Sequence, residues 1–89
     1  MQTIIAFDVS MGKSYMVIYQ DGQCTEEREI QHNKEDFQTL SASIQSFFVR
    51  DTQYPEIVFE ATGMYSKVLE SFMQANQYPY YLLNPLEAK

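Results

Sequence analysis

A chain of 89 residues makes one small domain or a piece of a larger one, not two domains, and its 45% apolar and 15% aromatic side chains are enough for a real core. A domain of this size buries only about 60–65% of its unfolded surface, so its stability should be modest. Charged residues are 20%, which excludes a disordered polyampholyte beside so much apolar material. The longest uninterrupted apolar run, Tyr15 to Tyr19, falls far short of the ~20 residues of a membrane span. No basic segment opens the chain and Asp8 cuts its first apolar run, so no signal peptide is visible. A lone Cys24 and a lone His32 exclude an internal disulfide and any His/Cys zinc cluster. The expectation is a soluble, cytoplasmic chain with no membrane segment. Its net charge is −6, from 12 acids against 6 dispersed bases, and taken alone this opposes nucleic-acid binding.

In chain order, Ile4-Ile5-Ala6-Phe7 closes on Asp8 and predicts a short strand buried on both faces. Ser14 to Gln20 predicts a second strand. Asp21-Gly22 after it is the favoured pair for a tight type I′ hairpin. Residues 24–31, CTEEREIQ, carry the charge of a solvated edge strand. Asn33 then offers a cap, with Glu35 and Asp36 in the first turn, for a helix over 34–49. Its apolar stripe is Phe37, Leu40, Ile44, Phe47 and Phe48. Ile57-Val58-Phe59 predicts a buried strand ending at Glu60. A second helix over 64–77 follows, with Tyr65, Val68, Leu69, Phe72 and Met73 inward. Residues 79–83 predict a last strand, stopped by Asn84-Pro85. The order β-β-β-α-β-α-β, with right-handed crossovers, gives a five-stranded mixed sheet of order 3-2-1-4-5 carrying two helices.

In that topology Asp8 and Glu60 leave the carboxyl ends of neighbouring parallel strands. Two carboxylates meeting there suit Mg²⁺ or Mn²⁺, which take oxygen ligands and can assist phosphoryl chemistry. The plain alternative makes Asp8 a turn cap and Glu60 a solvated acid. Lys13 is either a phosphate contact near Asp8 or a solvated turn lysine. Thr62 and Gly63 offer either free amides for an anion or ordinary capping at the second helix. His32 reads as a loop residue, and Tyr78, Tyr80 and Tyr81 as packing residues or base-stacking ones. Gly12-Lys13-Ser14 lacks the earlier glycine of a phosphate-binding loop, since that position is Phe7.

The blocks IIAFDVS at 4–10, IVFEATG at 57–63 and LLNP at 82–85 resemble the N-terminal part of the RuvC-like DEDD insertion-sequence transposases, related to Piv-type DNA invertases. The resemblance spans nearly the whole chain. It implies a ribonuclease H-like fold in which Asp8 and Glu60 are catalytic acids holding Mg²⁺ or Mn²⁺. It also implies DNA transposition by cutting and rejoining DNA, with DNA, and in some readings a guide RNA, as partners. The family's two later aspartates and its serine-bearing C-terminal domain have no counterpart here, because after Asn84 the only acid is Glu87. Residues 1–89 are therefore expected to be the N-terminal part of a RuvC-like catalytic domain, inactive alone and prone to homo-oligomerise. Two other readings stay open at this stage. One is an actin-like or sugar-kinase-like ATP-binding domain; the other is a non-catalytic acidic interaction domain.

Overall fold

In the computed structural model, which describes residues 2–61 and 63–83, five strands and two helices follow the predicted order. The strands are β1 (Thr3–Ser10), β2 (Lys13–Gln20), β3 (Gln23–Gln31), β4 (Glu56–Glu60) and β5 (Tyr81–Leu83), and the helices are α1 (Lys34–Asp51) and α2 (Tyr65–Ala75). One mixed sheet runs β3-β2-β1-β4-β5, as the crossover rule requires. β1 pairs antiparallel with β2 and parallel with β4, and β4 pairs parallel with β5. Met11-Gly12 closes the first hairpin. Asp21 and Gly22 close the second with φ of 53° and 85°, the left-handed pair of a type I′ turn.

Both helices pack on one face of the sheet. That face is built from Ile5, Phe7 and Val9 of β1, Met16 and Ile18 of β2, Ile30 of β3, and Ile57 and Phe59 of β4. Leu40 and Ile44 of α1 and Leu69 and Met73 of α2 close over it. The helices meet through stacked Phe37 and Phe72, with centroids 4.7 Å apart. Tyr78, also buried, bonds through its hydroxyl to Ser41 and Gln45 of α1. A buried phenol has to find such partners.

Three expectations need correction. β1 is not buried on both faces: Thr3, Ile5, Phe7 and Val9 are buried, while Ile4 and Ala6 are half-buried and Asp8 and Ser10 exposed. Its second face is simply not covered by either helix. The inner face of α2 is Ser66, Leu69 and Met73, with Tyr65 and Val68 exposed. Ser66 sits inward because its hydroxyl lies 3.3 Å from both the Gly63 carbonyl and a Glu70 carboxylate oxygen and donates its one proton to either, so burial leaves it satisfied. In α1, Phe48 is 37% exposed and lies against Tyr54, so the fully buried stripe is narrower than predicted.

Helix α1 begins as its sequence indicates. The Asn33 side chain accepts from the Asp36 amide at 2.8 Å, and Asp36 accepts in turn from the Gln31 amide at 2.7 Å. It runs two residues past the expected end. Arg50 anchors that last turn to Asp51, Gln20 and Thr3, and Thr52 ends it in the left-handed conformation, with its amide on the Phe48 carbonyl. No described helix is long and apolar enough to cross a membrane.

Candidate active site on the open sheet face

The uncovered face holds the candidate acids. The parallel register of β1 and β4 runs Ile4↔Glu56, Ile5↔Ile57, Ala6↔Val58 and Phe7↔Phe59. One step further along both strands are Asp8 and Glu60. They share a face with Ala6 and Val58, since strand side chains alternate, and so stand opposite the helices. Both therefore stand one step past the last paired residues, at the carboxyl ends of two neighbouring parallel strands. Both are exposed, and neither forms an ion pair among the described residues.

Asp8 is not the end of its strand. β1 continues to Ser10 because the antiparallel ladder with β2 persists to Ser10↔Lys13 after the parallel pairing stops. Asp8 is therefore held by β-structure on the β2 side, directly opposite Tyr15. This excludes Asp8 as a turn cap. Glu60 closes β4 and faces Leu83 of β5.

Lys13 opens β2 on the same face, and its ammonium pairs with Glu29 at 3.3 Å, both side chains about half exposed. Gly63, at φ 58°, lies in the connection to α2, whose first turn carries no side-chain cap and no acid. Gly63 follows Glu60 by three residues. Thr62, Asn84, Pro85 and Glu87 lie outside the described residues. Among the tyrosines, Tyr78 is core and Tyr80 stacks on Phe59 at 5.5 Å; only Tyr81 is mostly exposed, on the open face beside Val58.

One polar contact, Ser14 with His32, has no local sequence signal. Ser14 is fully buried, and its hydroxyl lies 2.7 Å from His32 Nε2 while the imidazole stacks on Phe37. Both are on the helix-covered side, away from the acids, so the pair is structural. Burial lowers the His32 pKa below its ordinary value of 6.5. The folded state then binds fewer protons than the unfolded one. Stability from this group should be intact above about pH 6.5 and fall as pH drops through that value toward the folded pKa. Chemical denaturation at pH 7.5 and 5.5 checks this: His32→Gln should flatten that dependence, and an unchanged slope would remove His32 as its source.

Residues 5–89 match the family model of the DEDD transposases of the IS110 type, described simply as transposase. The chain belongs to this transposase family. A search of curated proteins finds no sequence that matches. Among solved structures, RuvC of Thermus thermophilus bound to a Holliday junction aligns with a TM-score of 0.57 at 9% identity, over 97% of this chain and 66% of that one. A second Thermus thermophilus RuvC structure gives 0.54 at 10% identity, over 94% and 64%. An actin-like ATPase-fold protein of Bacteroides thetaiotaomicron gives 0.57 at 7% identity, over 92% and 32%. The chain thus spans about two thirds of the RuvC chains it resembles. At such identities the likeness shows the fold, which is ribonuclease H-like.

Proposed function

We propose that this transposase chain supplies the Asp8–Glu60 half of a metal-dependent site for phosphodiester cleavage and joining in DNA transposition. The observation that carries the reading is the register: Asp8 and Glu60 occupy the step after Phe7↔Phe59, on the face that neither helix covers. The donor set fits a hard divalent cation. It is oxygen only, exposed, and not neutralised by a lysine or arginine within hydrogen-bond reach among the described residues. Mg²⁺ or Mn²⁺, when bound, lowers the pKa of a coordinated water and stabilises charge on a phosphoryl oxygen. Asp8 and Glu60 would hold such an ion, with β1 and β4 fixing the direction of each carboxylate. DNA is the proposed substrate.

An actin-like ATP site is disfavoured by the turn after β1. Only Met11-Gly12 separates β1 from β2, with a single glycine, so no loop is long enough to wrap phosphates. The reading also carries self-association through the apolar β4–β5 part of the open face, where Tyr81 and Leu83 are exposed.

Mn²⁺ titration followed by amide resonances tests the site. Paramagnetic broadening should concentrate on Asp8, Glu60 and their strand neighbours and disappear in Asp8→Asn. Broadening spread over the acids of β3, or none, would overturn the assignment.

A further inference from the structure

We propose that β2 forms a track for a single nucleic-acid strand beside the acid pair, with the Tyr15 ring stacking a base and Lys13 binding a phosphate. The inference rests on the site proposed above and adds the residues that would position its substrate.

Four observations carry it. Tyr15 is the direct cross-strand partner of Asp8. Side chains opposed in this way have Cβ atoms about 5 Å apart, so a base on the Tyr15 ring brings its own backbone to Asp8. Tyr15 is 44% exposed on the open face, so its ring is accessible to a base. Lys13 lies two residues before Tyr15 on the same face and edge, so cation and aromatic alternate along one strand toward the acids. Finally, the Lys13–Glu29 pair is half exposed on both sides, which leaves the ammonium open to exchange Glu29 for a phosphate.

The acids around this track do not exclude it. Glu29 is about half exposed, so solvent screens it when Lys13 turns to a phosphate. Glu27 lies near the Tyr15 hydroxyl, and burial and that carboxylate raise the phenol's pKa, so the ring stays neutral. Asp8 and Glu60 repel a phosphate only until a divalent ion sits between them. The track should therefore need Mg²⁺, and this separates it from a generally basic surface. A cationic peptide is the competing occupant of an acidic face.

The test is an NMR titration of the 89-residue chain with a short oligothymidylate at low salt, with and without Mg²⁺. The expected result is an upfield shift of the Tyr15 ring protons and movement of the Lys13 and Asp8 amides, with Mg²⁺ only. Tyr15→Phe should bind as the wild type. Tyr15→Leu should bind about tenfold more weakly, the usual scale for one stacked base. Tyr15 lies outside the buried core, 44% exposed on the open face, so both variants should fold, and amide dispersion checks this. Equal binding by wild type and Tyr15→Leu, an unmoved Tyr15 ring, or no oligonucleotide binding would overturn the inference. So would a polylysine peptide taking the Tyr15 face while the oligonucleotide does not. Manganese broadening at Asp8 and Glu60 reads the metal site independently. Broadening without a Tyr15 response overturns only the track, and a Tyr15 response without broadening overturns the metal site and with it the Mg²⁺ dependence of the track.

Discussion

Phe59→Ala should destabilise the fold by about 3–5 kcal/mol, enough to leave much of the chain unfolded at 37 °C. Phe59 is 2% exposed in the middle strand of the parallel part of the sheet. Its ring meets Phe7 edge-on, with centroids 6.2 Å apart, and Tyr80 stacks on its other side at 5.5 Å. Truncation therefore removes a full aromatic transfer energy and two ring contacts, and leaves a cavity that β1, β4 and the tail before β5 cannot all close. A domain this small has few other large buried rings to share the loss. Urea unfolding should show a lower midpoint with an unchanged slope. Phe59→Leu should cost less than half as much, and Tyr81→Ala, at an exposed edge, should be nearly neutral. The substitution should also weaken Mn²⁺ binding, because Phe7↔Phe59 is the last parallel pair before the two acids. A stable Phe59→Ala protein with normal Mn²⁺ binding would show that this pair does not set the site.

The fold was legible because its signals are local and agree with one another. Asp21-Gly22 specified its turn, Asn33 with Asp36 specified a helix start, and the crossover rule left one strand order. What failed was face assignment. Ile4-Ile5-Ala6-Phe7 looks identical whether its second face is covered or bare, because a run of apolar residues has no period to read. Ser66 was missed as an inward residue because periodicity counts apolar types only. The Ser66–Glu70 spacing of one helical turn was the available clue. The Ser14–His32 contact joins residues 18 apart across a hairpin, and nothing local marks it. The neighbouring strand ends that carry Asp8 and Glu60 were legible from the parallel topology. Tyr15 was not, because its place beside Asp8 depends on the antiparallel register continuing past the end of the parallel one.

Asp8→Asn should remove Mn²⁺ binding while leaving the fold at least as stable as the wild type. The two effects have different origins. Ion binding needs both carboxylates, since a neutral amide in place of one supplies a weaker oxygen and no charge. Stability depends on what Asp8 does in the folded chain, and there it makes no ion pair among the described residues. It stands instead one strand from Glu60, and like charges side by side on a sheet are destabilising. Asn keeps the shape and removes that repulsion, so the melting temperature should rise slightly. The gain should shrink in high salt, which screens exposed charges. With Mn²⁺ the order should invert. The wild type gains RT ln(1 + [Mn²⁺]/Kd), about 1.4 kcal/mol at ten times Kd, and Asp8→Asn gains almost nothing. Melts of both proteins at low and high salt, with and without Mn²⁺, read all three effects. Destabilisation of Asp8→Asn in every condition would make Asp8 a structural residue of the β1–β2 ladder. An equal Mn²⁺ gain in both proteins would place the ion on other acids, with those of β3 the first to replace.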